Sequence, residues 1–368
     1  MESGQRTVEA LVNDIWKGRR VLVTGHTGFK GSWLSLWLEA LGANVTGLAL
    51  APPTDPSLFA AARVASRVTH VEGDVRDPAV VRAVVEAARP EIIFHLAAQP
   101  LVRHSYDDPV GTYATNVMGT VHVLEAARLV SGVGAIVCVT SDKCYENREW
   151  IWPYRETDAM GGHDPYSSSK GAAELVIAAY RRSFFTGHGP ALASVRAGNV
   201  IGGGDWAADR LVPDLVRAFA TGTPPLIRSP DAVRPWQHVL EALGGYLAIG
   251  ERLLEGDMGF ADGWNFGPAD DDARPVSWIV ERMRAAWGEA ADQPVVDRRP
   301  LPHEAGLLRL DCSKVRAALG WRPSLTLHQA LEWVVAWHRA VAAGQDAQAV
   351  TRAQIARYVE VSAVRELA

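Results

Sequence analysis

Along the first half of the chain, short apolar runs alternate with longer amphipathic ones. The short runs are RVLVTG (20–25), NVTGLAL (44–50), VTHVEGD (68–74), EIIFHLAA (91–98) and GAIVCVTS (134–141). They are too brief for helices and rich in β-branched residues, so they predict strands. Between them, GSWLSLWLEALG (31–42), PAVVRAVVEAARP (78–90) and YATNVMGTVHVLEAARLV (113–130) repeat apolar residues every three or four positions. That spacing predicts helices, the first ending at Gly42. Strands apolar on both faces and separated by helices imply an α/β fold with a doubly wound parallel sheet and right-handed crossovers.

The second half reads differently. GNVIGGGDW (198–206) is a Gly-rich loop, and TGTPPLIRSPDAVRPW (221–236) is irregular and Pro-rich. A smaller C-terminal α+β lobe fits this region. We expect residues 1–198, opening with an N-terminal helix, to bind a nucleotide. Residues 199–368 are expected to hold mainly the substrate, with some strands returning to the first domain. ADDDARP (269–275) reads as a solvated acidic turn, and no repeat or low-complexity tract is visible.

Composition narrows the class. The chain has 368 residues, 48% of them hydrophobic, which is globular usage. A net charge of −5 with scattered basic residues argues against a nucleic-acid partner. Cys138, Cys144 and Cys312 lack metal-ligand spacing and cannot all pair, as in a reducing cytosol. Cys138 lies in an apolar strand, and Cys144 is expected to be inert. MESGQRTVEALVNDIW has no signal-type apolar run, and no span of ~20 apolar residues follows. The expectation is a soluble cytoplasmic protein without a membrane partner or a metal. The 13 Trp are expected mostly to pack.

Chemistry concentrates at three places. VTGHTGFKG puts Gly25, Gly28 and Gly31 three apart, between the first strand and the first helix. Such glycines allow a tight turn, a close approach to phosphate, and close helix–strand packing. The helix N-terminus then offers free N–H groups to a pyrophosphate. This is a Rossmann dinucleotide fingerprint in its strand–turn–helix context. An acid is expected at the tip of the second strand to hold the cofactor ribose. GLALAPPT has neither that acid nor an Arg, so NAD and NADP are not separated by this motif. Asp74 either reaches the adenine or caps its loop.

The second place is DPYSSSK (164–170). Asp164 can cap a helix whose first turn holds Pro165. Tyr166 and Lys170 then share one face, four residues apart. A nearby ammonium lowers a phenol pKa, so the pair can form a general base for an alcohol. The third is the SDK tripeptide, Ser141–Lys143, at the carboxyl end of the strand 134–141. That end of an open parallel sheet is where ligands bind.

Gly25, Gly28, Gly31, HLAAQ (95–99), Asn116, Ser141 and Tyr166-x-x-x-Lys170 together resemble the extended short-chain dehydrogenase/reductases. WNFGP (264–268) and LDCSKVRAALGWRPSL (310–325) are similar to that family's sugar-nucleotide branch. GHTGFKGSWL, TSDKCYEN, EWIWPYRETDAMGGHDPYSSSK and RAGNVIGGGDW resemble the CDP-glucose 4,6-dehydratases within it. The likeness runs from about residue 16 to 340.

The resemblance implies NAD as cofactor and a CDP-sugar as substrate. In such enzymes C4 of the glucose is oxidised, water leaves across C5 and C6, and the hydride returns to C6. Tyr166 would take the 4-hydroxyl proton, and Lys170 would tune it and hold the nicotinamide ribose. Ser141 would bond the 4-oxygen, Asp142 would be the acid at C6 and Lys143 the base at C5. The wider branch has Asp-Glu where Asp142 and Lys143 stand. Thr27, Phe29, Lys30, Leu96, Ala97, Ala98, Gln99 and Asn116 would complete the cofactor site with the three glycines. Arg234, Arg210 and Asn199 are candidates for the substrate pyrophosphate, and Arg103 for the sugar pocket. His104 and His163 read as structural. The helices at 113–130 and 166–182 are those the family packs into a homodimer; a homotetramer is the alternative. Neighbouring readings are a dehydratase of another nucleotide sugar, a 4-epimerase, and a non-catalytic dinucleotide sensor. An epimerase needs no acid and base beside Ser141.

Overall fold

The computed structural model describes residues 14–187, 189–269, 272–288, 293–297 and 307–366. The expected N-terminal helix falls largely on residues 1–13, and Asp270 and Asp271 of the acidic turn also lie outside the described residues. The first half forms β1 (Arg20–Thr24), α1 (Phe29–Ala40), β2 (Asn44–Ala49), α2 (Leu58–Ala61), β3 (Thr69–Glu72), α3 (Pro78–Ala88) and β4 (Ile92–His95). Next come α4 (Val102–Asp107), α5 (Pro109–Tyr113), α6 (Gly119–Leu129), β5 (Ala135–Val139), α7 (Pro165–Ser183) and β6 (Ala191–Ala197).

The second half supplies β7 (Asn199–Ile201), α8 (Leu211–Thr221), β8 (Leu226–Ile227), β9 (Val233–Arg234), β10 (Trp236–His238), α9 (Val239–Leu254) and β11 (Gly263–Phe266). It ends with β12 (Arg274–Pro275), α10 (Val276–Trp287), β13 (Val295–Val296), α11 (Ser313–Leu319), α12 (Leu327–Ala342) and α13 (Ala347–Glu366).

Seven strands make one sheet in the order β11-β6-β5-β4-β1-β2-β3, all neighbours parallel. The order in which successive strands are laid down switches sides between β1 and β4, which opens a crevice at the carboxyl ends of those parallel strands. Side chains alternate across the sheet. Val21, Val23, Phe94 and Val137 join α1 and α9 on one face. Leu22, Ile93 and Ile136 join α3, α6 and α7 on the other. Burial on both faces explains why these strands are apolar throughout. β11, from the second half, closes the β6 edge, with Trp264 opposite Val195 and Phe266 opposite Ala197.

The single helix expected over 113–130 is interrupted. Ala114–Met118 forms a π-helical turn between α5 and α6. The extra residue per turn carries Asn116 inward, where it is 2% exposed. The Gly-rich loop after β7 is clamped by tryptophans. Trp33 Nε1 donates to the Gly203 carbonyl at 2.9 Å, and a Cβ at Gly203 would lie 2.0 Å from the Trp337 ring.

Candidate active site

A cavity of about 910 Å³ opens at the carboxyl edge of the sheet. Its wall includes the glycine loop, Asp74, Leu96 to Ala98, Ser141 to Lys143, Tyr166, Lys170 and the second-half loops around Asn199, Arg210 and Arg234. The size suits a small-molecule site.

The glycine loop is built for backbone approach. Gly25 has φ +78°, and a Cβ there would sit 2.7 Å from the Ala97 nitrogen. At Gly31 a Cβ would meet the Gly25 carbonyl at 2.1 Å, so α1 can pack on the loop only with glycine. At Gly28 a Cβ would meet only that carbonyl, at 3.4 Å, so its free side faces the cavity. Gly28 caps α1 without a side chain, which leaves the first N–H groups of a 12-residue helix for an anion. These residues fit a dinucleotide pyrophosphate. Thr27 Oγ1 ties the loop to the Leu50 carbonyl at 2.9 Å. Phe29 and Lys30 line the same wall. Burial, with Arg210 and Lys170 nearby, pushes Lys30 down to about 7, while Asp142 and Asp205 act against that shift.

At the tip of β2 the wall is Ala49, Leu50 and Ala51, without the usual ribose-binding acid; Asp55 is the acid that follows along the same wall. Asp74 lines this end but is held by Arg76, accepting from its backbone N at 2.8 Å and its Nε at 2.7 Å. That side-chain bond keeps its carboxyl below the usual range. Asp74 therefore braces its loop. Under β2, His26 Nε2 and His70 Nδ1 are 2.7 Å apart, a pair the sequence did not announce.

Gln99 and Asn116 act behind the wall. Asn116 accepts from the Gln99 N–H at 2.8 Å and donates to the Gln99 carbonyl and Ser169 Oγ. Gln99 spends its own side chain on Leu101 and Thr112. Together they shape the turn that presents Leu96, Ala97 and Ala98.

Ser141 Oγ lies 2.9 Å from Asp142 Oδ1 and accepts from the Lys143 N–H at 3.2 Å. Lys143 Nζ is 3.8 Å from Asp142 Oδ1. Asp142 is 1% exposed, and its Oδ2 is buried with no hydrogen-bond partner among the described residues. The pair is thus largely shielded from solvent. Tyr166 begins the second residue of α7, whose cap is Asp164 accepting from the Ser167 N–H at 2.9 Å. Burial raises the Tyr166 phenol; Lys143 is the leading influence lowering it, with the Ser141 hydroxyl next. The sequence assigned that tuning to Lys170. Lys170 lines the same cavity, with Nζ 3.5 Å from the Val139 carbonyl. Burial brings Lys170 down to about 8, and Glu174 opposes the drop.

Glu174 was not foreseen. It lies one turn beyond Lys170 and is 4% exposed. Its carboxylate takes Thr140 Oγ1, Ser194 Oγ at 2.7 Å, and Arg196 Nε and Nη2 at 2.9 and 2.7 Å. Arg196, through Nη1, also donates to Tyr145 Oη at 2.7 Å, which donates to Asn265 Oδ1. The SDK tripeptide is therefore moored at both ends, by Thr140 before it and Tyr145 after it. The clue in the sequence was an acid at the eighth position after Tyr166.

Among the four substrate candidates, Arg234 is 6% exposed and donates to the Val233 carbonyl. Arg210 pairs with Asp205 at 3.0 Å, and Arg103 with Asp209 at 3.2 Å. Arg228, unmarked in the sequence, joins the same wall. His104 and His163 are not lining residues. All three cysteines are buried, and burial raises each thiol, Cys138 and Cys312 to about 12. Among the described residues no group of His, Cys, Asp or Glu is arranged to hold a metal, and no helix is long and apolar enough to cross a membrane.

Residues 22–334 match the profile of the GDP-mannose 4,6 dehydratase family. The chain is 52% identical over 354 residues to the CDP-glucose 4,6-dehydratase of Salmonella typhimurium, covering 95% of this chain and 98% of that one. Its fold is similar to UDP-glucose 4-epimerase of Thermus thermophilus in complex with NAD, with TM-score 0.72 and 26% identity over 87% of this chain and 99% of the other. A dTDP-glucose 4,6-dehydratase of Streptomyces venezuelae gives TM-score 0.72 and 23% identity over 89% and 99%. With the family profile matched over most of its length and a relative at 52% identity, this chain belongs to the GDP-mannose 4,6 dehydratase family.

Proposed function

We propose that the protein converts CDP-glucose to CDP-4-keto-6-deoxyglucose and water, with NAD as a resident cofactor. The observation that supports this most is a buried acid and a lysine side by side, Asp142 and Lys143, next to Ser141 and Tyr166 in one cavity. Oxidation alone needs only the tyrosine and serine. Elimination of water needs the second pair.

Bound NAD would supply the redox chemistry, as acceptor of the C4 hydride and donor of it to C6. Gly25, Gly28, Gly31 and the α1 N-terminus would hold its pyrophosphate; Lys170 would meet the nicotinamide ribose. Tyr166 Oη removes the proton of the 4-hydroxyl, and Ser141 Oγ keeps that oxygen in place. Lys143 Nζ takes the C5 proton made acidic by the 4-ketone and gives a proton back to C5 once the hydride has reached C6. Asp142 delivers a proton to the C6 hydroxyl, which leaves as water. Arg234, Arg210, Asn199 and Arg103 anchor the substrate end. The exposed Tyr106, Val110, Tyr113, Met118 and Leu175 on α4 to α7 support burial against a second copy, in a homodimer or a homotetramer. A cytoplasmic location fits three unpaired, buried cysteines.

Purified protein incubated with CDP-, dTDP-, UDP- and GDP-glucose tests the reaction by product mass. Loss of one water from CDP-glucose without added reductant is expected. A 4-inverted sugar of unchanged mass would show an epimerase instead. Lys143→Ala should keep C4 oxidation, seen as NADH absorbance, and lose elimination.

A further inference from the structure

Four arginines reach the second-half side of the cavity, and two acids answer them. Asp205 is a fixed part of its loop: it is 4% exposed and accepts from the Ala207 N–H as well as Arg210. Asp209 is different. Its side chain is 38% exposed, and one of its two oxygens, Oδ1, receives both Arg103 Nη1 at 3.2 Å and Arg228 Nη2 at 2.6 Å. Among the described residues these two guanidinium groups are its ion-pair partners. Arg103 comes from α4, after β4 of the large sheet; Arg228 follows β8 in the other lobe. Asp209 therefore bridges the cavity mouth from one lobe to the other. Its backbone has φ +60°, the left-handed region that non-glycine residues rarely enter. All three residues line the cavity.

We propose that the Asp209 carboxylate is an internal stand-in for the substrate's diphosphate, holding Arg103 and Arg228 together until the diphosphate displaces it. The inference rests on the proposed nucleotide-sugar substrate. A carboxylate brings one negative charge and shares one oxygen here. A diphosphate brings more charge and enough oxygens to bind each guanidinium through two donors. Exchange therefore favours the ligand, and it frees the strained turn at Asp209. Until then the arginines are neither repelled apart nor open to stray anions. The device costs affinity, because every binding event must break two ion pairs.

Asp209→Asn removes the competing charge with little change of shape. Calorimetric titration with CDP, and separately with inorganic pyrophosphate, should give dissociation constants about three- to tenfold lower than wild type, the range for two partly exposed ion pairs. KM for CDP-glucose should fall, kcat should not rise, and NAD affinity should stay the same. Arg228→Gln should weaken CDP and pyrophosphate about tenfold. Unchanged or weaker CDP binding by Asp209→Asn would overturn the proposal, because Asp209 would then organise the arginines without competing. Tightening toward NAD alone would overturn it too, by assigning the anion site to the cofactor. The titrations read binding only, so failure to dehydrate CDP-glucose would refute the proposed reaction and leave this test intact.

Discussion

Replacing Glu174 by Gln removes one charge from the best-buried ion pair near the site. Both partners are almost sealed, at 5% and 4% side-chain exposure. The Arg196 charge would stay buried without its carboxylate, which costs about 3–5 kcal/mol. Unfolding entropy is about 2.1 cal/mol/K per residue, so over this chain 1 kcal/mol is worth about 1.3 °C. The midpoint should fall by about 4–6 °C, read by circular dichroism at pH 7. Thr140→Val removes one donor and leaves the charges paired, so its loss should be smaller, about 2–4 °C. Linkage adds a second check. Burial pushes the Glu174 carboxyl up, but the Arg196 charge and the hydrogen bonds from Arg196, Thr140 and Ser194 together hold it below its ordinary 4.5. That stabilisation is present above pH 4.5 and fades as pH falls through the lower folded value. The gap between wild type and Glu174→Gln should narrow in acid. A midpoint within 1 °C of wild type at pH 7, or a larger loss in Thr140→Val, would refute the reasoning.

Gly31→Ala should unfold or fail to bind NAD, since its Cβ would overlap the Gly25 carbonyl; Gly28→Ala should fold normally and lose NAD affinity about tenfold, measured by fluorescence titration. Lys170→Met should abolish turnover yet raise the thermal midpoint at pH 7. Burial depresses Lys170 from 10.5 to about 8, so its penalty is full below pH 8 and vanishes as pH rises to 10.5; the gain should shrink over that window. Iodoacetamide at pH 8 should leave the native protein unlabelled and modify it only in denaturant, by mass spectrometry, because burial raises all three thiols.

Local signals carried the sheet and much of the cavity wall. The strands around Val21, Ile92 and Ala135 are apolar because they are covered on both faces, and the spacing of Gly25, Gly28 and Gly31 reflects contacts within a few residues. What stayed hidden depends on which way side chains point or on distant partners. Tyr166 and Lys170 share a helix face, but Lys143, from another element, is the cation acting most on the phenol. The helical pattern at 113–130 did not reveal the π turn, since one inserted residue leaves apolar periodicity nearly intact. Arg196 and Glu174 are 22 residues apart and belong to different layers. Asp209 and Arg103 are 106 apart, and no pattern along the chain connects them.

β11 sits at the end of the sheet, yet it is made long after its neighbour β6. At a translation rate of ~5–20 residues per second, β6 waits several seconds for it. During that wait the run ALASVRA, buried along its whole length in the finished protein, is a bare edge open to pairing with other chains. A nascent or truncated chain stopping short of Gly263 is thus an aggregation hazard, and a ribosome-associated chaperone has most to protect between those two strands.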